Sequence, residues 1–547
     1  MRALLLVLLL IGGVVRAECP AGDFPPFYAQ TKHFDAGLAQ SADVQPVEGI
    51  SGAILPHHLE MPELLGVAIR MVARPGVKRA IVLFPDHFFH STAPFATTAR
   101  GFDTILGPVP SDPAAGGLID GALVQDSCLF DKEHGVRAVL PFMARLMPGV
   151  SVIPVAVSIN SRREHWDAMA ERLAPLLGPD TVVLQATDYS HYLPLHEARQ
   201  RDQQVLNLLA AMDLEGIAGL VQPDHVDSVG AMYITMKLLG ARGARPVVVA
   251  NANMQELYKP FIAETTSYVV AAYAPEGTEV PAFIGQRFMI GGDLFLGRVL
   301  PGLLSDELIS DRVAKAALAA THGLPLVLNL EGVLLPQMPG GLDHLVLGMP
   351  ADLLRDWARR LNVVAVSLAN NHARDIGESG LAETRTALAR FGIAAFGQGE
   401  ALPLMGATLV GLTDLDGRAV PPVDRLTPEL LDRVIQTDAT SPVIAFLHWG
   451  REFVTEPAAR ETELAEGLRQ RGVAAVIGAH PHTASTDLHA LGGGDTVVLH
   501  SLGNFLFDQL PPHSSGALAE VRVFPQGTVF VRQLLLPHLF ELTQAGN

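Results

Sequence analysis

The chain has 547 residues, 49% hydrophobic and 18% charged, with 57 Asp and Glu against 39 Lys and Arg for a formal charge of −18. That length exceeds one ordinary core and predicts two domains of about 250 residues each. The apolar content excludes a disordered chain, and the acidic surface excludes nucleic acid and anionic membrane as partners held by simple charge attraction.

Met1-Arg2 precedes the apolar run Ala3 to Ile11, and Val15-Arg-Ala17 offers small residues for cleavage. Residues 1–17 therefore read as a secretory signal peptide and predict export to a periplasmic or other extracytoplasmic compartment. No later stretch has about 18 uninterrupted apolar residues, so no membrane span is expected after cleavage. The only cysteines are Cys19 and Cys128. An oxidising compartment permits a disulfide between them, and two free thiols are the open alternative. Residues 18–47 contain Pro20, Pro25, Pro26 and Pro46 without sustained periodicity and read as a covering arm.

From residue 48 to 273 short apolar runs alternate with helical periodicity. Ala53 to His57, Ala80 to His87, Val152 to Val157 and Thr181 to His191 read as strands, with helices at Leu64–Ala73 and Glu164–Leu177. Strand, helix, strand in repetition predicts an α/β domain with a mostly parallel sheet. In such a sheet ligands collect at the carboxyl ends of the strands, and there the sequence puts His57, His87, Asp188 and His191. Two His and a carboxylate, which Asp227 can supply, suit a single iron or other divalent ion as a facial triad. A pocket kept for binding without turnover is the alternative.

Pro56-His57, Pro85-Asp-His87, the run from Glu133-His134 to Leu140-Pro-Phe142 and Thr187-Asp-Tyr-Ser-His191 resemble the Memo family, also called AmmeMemoRadiSam system protein B. The resemblance implies the fold of the LigB-type extradiol dioxygenases. Where that family commonly has Cys-Gly, this chain reads Asp227-Ser-Val-Gly230. The missing thiolate is expected to limit the crevice, and Ser228→Cys to restore it.

Residues 274–284 carry Pro, Gly and acidic side chains and read as an exposed linker. The second domain, 285–540, repeats the theme more strongly. Five apolar runs end at or beside a metal-binding side chain: Phe288 to Asp293, Leu326 to Glu331, Val363 to Asn371-His372, Val443 to His448, and Ala475 to His480, with His482 two residues on. Asp, Glu, Asn and His give a mixed oxygen and nitrogen set suited to Mn, Zn or Fe and too poor in thiolate for a structural zinc knot. Two divalent cations there would activate water and clamp both oxygens of a displacement. Helices are predicted at Asp306–His322, Pro350–Leu361, Glu378–Phe391 and Pro457–Arg471.

Gly292-Asp293 with Arg298, Asn329-Leu-Glu331, Asn370-Asn-His372 with Asp375 and Gly377, His448-Trp-Gly450, His480-Pro-His482 and Ser501-Leu-Gly-Asn-Phe505 resemble, in order, the motifs of the CapA (poly-γ-glutamate synthesis) family. That family has the calcineurin-like metallophosphatase fold, an α/β sandwich. The resemblance implies that Asp293, Glu331 and His482 hold one ion, that Glu331, Asn371, His448 and His480 hold the other, and that His372 stays free as a proton donor.

Arg298 is the candidate to meet a substrate carboxylate or phosphate. Trp449 reads as core, Asn504 and Asp508 as partners of the histidines, and Asp375 as the cap of the following helix. The expected function is an exported two-metal hydrolase of an anionic ester or amide, whose partner is an anionic polymer or a small anion. A non-catalytic polyanion-binding envelope factor, or an oxidase or dioxygenase in the first half, are the rivals.

Overall fold

A computed structural model describes residues 21–397, 399–415, 426–435, 441–512 and 514–544. The expected signal peptide, residues 1–17, and Cys19 lie outside them. Cys128 is disulfide-bonded. Among the described residues no helix is long and apolar enough to cross a membrane.

The first half is built on one nine-stranded sheet. Its centre is four parallel strands in the order Gly52–Leu55, Thr181–Ala186, Arg79–Pro85 and Ser151–Val157. Gly52–Leu55 pairs antiparallel with Thr265–Pro275, which pairs antiparallel with Ala244–Asn253. The central strands are buried almost throughout, as a sheet covered on both faces requires. One face packs the helices Pro62–Val72 and Leu140–Leu146, the other Arg163–Leu173, Leu195–Ala211 and Val229–Gly240. The strands end two residues before His57, His87 and Asp188, so those side chains emerge at one edge.

Two readings of this half need correction, and a third is extended. The arm is not devoid of regular structure: Lys32–Gln40 is a helix that buries Phe34, and Gly37 sits so close to Pro62 that a Cβ would lie 2.5 Å from its carbonyl oxygen. His191 does not end the strand from Thr181. That strand stops at Ala186, and His191 opens a separate strand, His191–Leu193, paired with Thr265 and Thr266. The linker is exposed at Pro275, Glu276, Gly277, Glu279 and Pro281, as read, but it is tied down as well: Val280 is fully buried, and Phe283 and Ile284 both donate to the Val249 carbonyl.

The second half is a sandwich of two sheets. One runs Ala394–Phe396, Val363–Ser367, Leu326–Leu330, Gln286–Leu294, Gly516–Val523 and Val529–Leu536; the other runs Ala401–Leu404, Ala407–Thr413, Val443–His448, Ala475–Ala479, Thr496–Leu499 and His489–Leu491. Phe288, Ile290, Val327, Ile444, Phe446, Ile477 and Leu499 fill the space between them. Helices Glu307–Thr321, Ala351–Arg360 and Gly377–Phe391 cover the first sheet and Pro428–Val434 and Ala459–Arg469 the second. Trp449 is core, as read, and donates to the His500 carbonyl.

The halves are joined by more than the linker. Arg522, fully buried, donates to the carbonyls of Val248 and Val280 and pairs with the buried Glu520. Gln526 and Thr528 reach Asp202 and Asn251 of the first half, all four buried. Such a network is stabilising only while every member keeps its partner.

Candidate metal centres

In the second half the parallel strands of both sheets end at one place. Asp293 is the penultimate residue of Gln286–Leu294, Glu331 directly follows Leu326–Leu330, Asn371 lies in the loop after Val363–Ser367, His448 closes Val443–His448, and His480 directly follows Ala475–Ala479. Gly292 shows how the aim is fixed. A Cβ there would fall 1.8 Å from the Gly503 oxygen, so only glycine lets the strand approach closely enough for the Asp293 N–H to reach that oxygen at 2.9 Å.

The six expected ligands are brought together. Donor atoms of Asp293, Glu331 and His448 lie within 4.8 Å of one another, as do those of Glu331, His480 and His482. Glu331 belongs to both groups, as the family resemblance implies for a bridging carboxylate. The remaining division differs: His448 falls with Asp293, its Nδ1 3.7 Å from Asp293 Oδ1, and His482 with His480. Two contacts still follow the implied division, His482 Nδ1 to Asp293 Oδ2 at 3.3 Å and His448 Nε2 to Asn371 Oδ1 at 2.9 Å.

Burial makes this arrangement costly without cations. Asp293, Glu331, His448, His480 and His482 are all buried, and Glu331 Oε2 and His480 Nδ1 have no hydrogen-bond partner. Burial, then the Asp293 charge, holds the Glu331 carboxyl well above its usual range. Burial and neighbouring imidazoles hold His448 well down and His480 at about 4. Burial also pulls His482 down, but Glu331 and Asp293 outweigh it and carry that imidazole up to about 9. Oxygen and nitrogen donors converging with unpartnered lone pairs fit divalent cations.

His372 stands beside this group. Its Nδ1 is 2.9 Å from Asp375 Oδ2, and its Nε2 is 4.0 Å from Glu331 Oε1. Asp375 does not cap the following helix, which begins at Gly377 without a side-chain cap; it accepts from the Leu347 N–H and fixes the His372 ring. Asn504 accompanies His482, at 2.8 Å from its Nδ1. Asp508 instead binds Arg298, whose guanidinium also reaches the His344 carbonyl. Sequence reasoning gave no role to Asn329 and Asn370. Asn329 donates to Asp293 Oδ1 at 2.7 Å and meets His448 Nδ1 at 3.1 Å, while Asn370 donates to Asn329 and to the Leu330 carbonyl.

The first half gathers a second constellation. His57 donates from Nδ1 to the Ala186 carbonyl at 3.1 Å, which turns Nε2 towards Asp227 Oδ2 at 3.1 Å and Asp188 Oδ2 at 3.5 Å. His87 is held from behind: Glu133 takes its Nδ1 at 2.6 Å and its backbone N–H at 3.0 Å, leaving Nε2 3.7 Å from Asp227 Oδ2. His57, His87 and Asp227 thus present two imidazoles and one carboxylate to one point. His57 Nε2 and Asp227 Oδ1 are buried without hydrogen-bond partners, which fits a cation. Asp188 and His191 lie alongside, with donor atoms within 4.8 Å of one another and of Asp227.

Sequence reasoning missed His58, whose Nδ1 is 2.9 Å from Asp188 Oδ2, and named His134 only within a motif, whereas its ring stacks 4.1 Å from that of His87. Ser228 caps the helix Val229–Gly240 by accepting from the Ala231 N–H, and Asp227, one residue earlier, faces the histidines. Burial pulls His87 down, but Asp227 and Glu133 raise it to about 10; burial and the neighbouring His87 hold His134 at about 4.

Residues 287–410 and 415–509 match the family model described as bacterial capsule synthesis protein PGA_cap, and residues 21–259 that of Memo-like protein. Over 169 residues the chain is 30% identical to the PGA biosynthesis protein CapA of Bacillus subtilis (strain 168), covering 27% of this chain and 44% of that protein. It is 29% identical over 170 residues to the capsule biosynthesis protein CapA of Bacillus anthracis, covering 26% and 40%. A MEMO1 family protein of Caldivirga maquilingensis is 23% identical over 201 residues, covering 35% and 71%. The chain therefore spans under half the length of these two CapA relatives.

Proposed function

We propose that this chain, Memo-like in its first half and PGA_cap-like in its second, is an exported enzyme whose second half hydrolyses an anionic ester or amide with two divalent ions, in the making or processing of a capsule-type polyanion. One observation carries the reading. Two buried donor groups share Glu331, two of their atoms lack partners, and an imidazole that belongs to neither group stands next to them.

When bound, two divalent ions would supply Lewis acidity and a water of lowered pKa. Asp293, Glu331, Asn371, His448, His480 and His482 would hold them. The chain's own residues do the rest. With Nδ1 committed to Asp375, His372 has Nε2 left to carry a proton, which it gives to the departing oxygen or nitrogen. Arg298, kept in place by Asp508, offers a guanidinium near the mouth for a second anionic group of the substrate.

The test is turnover by the full chain loaded with Mn, using bis(p-nitrophenyl) phosphate and poly-γ-glutamate as probes. Hydrolysis of either supports the proposal, whereas binding of polyglutamate without cleavage of either probe replaces it with a polyanion-binding envelope factor. For the first half we propose a single-metal site at His57, His87 and Asp227. The carboxylate standing towards both imidazoles favours an occupied site over a vestigial pocket, and oxygen consumption with catechol-like probes tests whether it turns over.

A further inference from the structure

The first-half site at His57, His87 and Asp227 leaves three donors beside it without a role: His58, Asp188 and His191. The backbone sets two of them. Asp188 is fully buried, and its Oδ1 accepts the His57 N–H at 3.0 Å, which leaves Oδ2 for the imidazoles. His191 Nδ1 lies against the Tyr189 carbonyl. A carbonyl only accepts, so that nitrogen carries the ring proton and Nε2 keeps its lone pair. Donor atoms of His191, Asp188 and Asp227 lie within 4.8 Å of one another, and so do those of His57, His58 and Asp188. Asp188 is common to both groups.

His58 is not there to fill the core. Its side chain is 36% exposed, and its ring stands at 90° to that of His57, the residue before it. The contact between His58 and Asp188 carries the argument. Nδ1 stands 2.9 Å from Oδ2, yet Oδ2 makes no hydrogen bond, so the ring nitrogen is near the oxygen without being aimed at it. A pair kept only for its charge would align the N–H on the oxygen. Two donors each about 2 Å from one ion stand about 3 Å apart, with their lone pairs directed at the ion and not at each other. Without a cation the arrangement buries a carboxylate oxygen that has no partner, which costs free energy.

We infer that His58, Asp188 and His191 hold a divalent cation of their own, beside the one assigned to His57, His87 and Asp227. Two imidazoles and a carboxylate without thiolate select zinc or iron(II) over calcium or magnesium, which take oxygen ligands. The inference goes beyond the single-metal reading of this half and shares no ligand with it, so either can fail alone.

The test is anomalous diffraction at the zinc edge from crystals of the full chain, loaded with zinc and dialysed, with zinc per chain measured by elemental analysis for the wild type and His58→Ala. The wild type is expected to show a peak within ligand distance of His58 Nδ1 and Asp188 Oδ2, separate from any peak at His57, His87 and Asp227. His58→Ala should lose that peak and one equivalent of zinc while the other peaks stay. A peak at His58 and Asp188 with none at His87 supports the inference and overturns the single-metal reading. A peak at His57, His87 and Asp227 alone overturns the inference and leaves that reading standing. One ion ligated by His57, His58 and both aspartates also overturns it, since the two sets would then be one site. Retention of the peak in His58→Ala removes His58 as a ligand and the inference with it, and no peak in either place overturns both readings.

Discussion

The two centres use the same construction differently. Both sit at the carboxyl edge of a parallel sheet, but the second half draws its ligands from two facing sheets and the first from one. Facing sheets let carboxylates and histidines approach from opposite sides, so Glu331 is shared between two donor groups and His372 remains outside both. A single sheet edge instead packs His57, His58, His87 and His134 against one another, with Asp188, Asp227 and Glu133 already engaged by those rings. The contrast separates a cluster in which one carboxylate is common to two donor groups and an imidazole stands outside both from one in which every carboxylate is already paired with a ring.

The largest effect that would break this comparison comes from Glu331→Gln. As the shared carboxylate it is expected to cost the second half both ions, with the first half keeping its own, as read by elemental analysis and hydrolysis of bis(p-nitrophenyl) phosphate. Loss of only one ion would mean that Glu331 does not bridge.

His372→Ala comes next. Losing a positioned proton donor costs about 10²–10⁴ in rate, chiefly on substrates with poor leaving groups, while metal content and folding persist. His448→Ala should instead lose metal. Equal metal loss in the two variants would make His372 a ligand. Asp375→Asn should give a smaller loss in the same direction, since it disturbs only the orientation of the ring.

In the first half Asp227→Asn is expected to release its cation and leave hydrolysis by the second half untouched. The smallest effect belongs to Ser228→Cys. Because Ser228 is a helix cap and not the residue facing the histidines, the substitution should leave metal affinity unchanged and cost about 1 kcal/mol of stability through the lost cap, read by denaturant unfolding. A gain in metal affinity would return Ser228 to the site.

The strand ends were legible because a strand buried on both faces is a run of apolar residues, and the first polar residue after it marks the crevice. That rule located Asp293, Glu331, His448, His480, His57 and His87. It was silent on side chains that act through others: Asn329 is inside a strand, Asp375 resembles a helix cap, and Glu133 is both the cap of His134–Arg137 and the partner of His87. It was also silent on how the linker, exposed where its polar residues lie, is tied down at Val280, whose carbonyl is held by Arg522, far along the chain. Partners at such separations leave no local trace in a single sequence.

The central claim is that the second half holds two ions between its facing sheets. Anomalous diffraction from crystals of the Mn-loaded full chain tests it most directly. The account predicts two peaks about 3.5–4 Å apart, both within ligand distance of Glu331 and divided among Asp293, His448, His480 and His482. A single peak, or two that do not share Glu331, would contradict it.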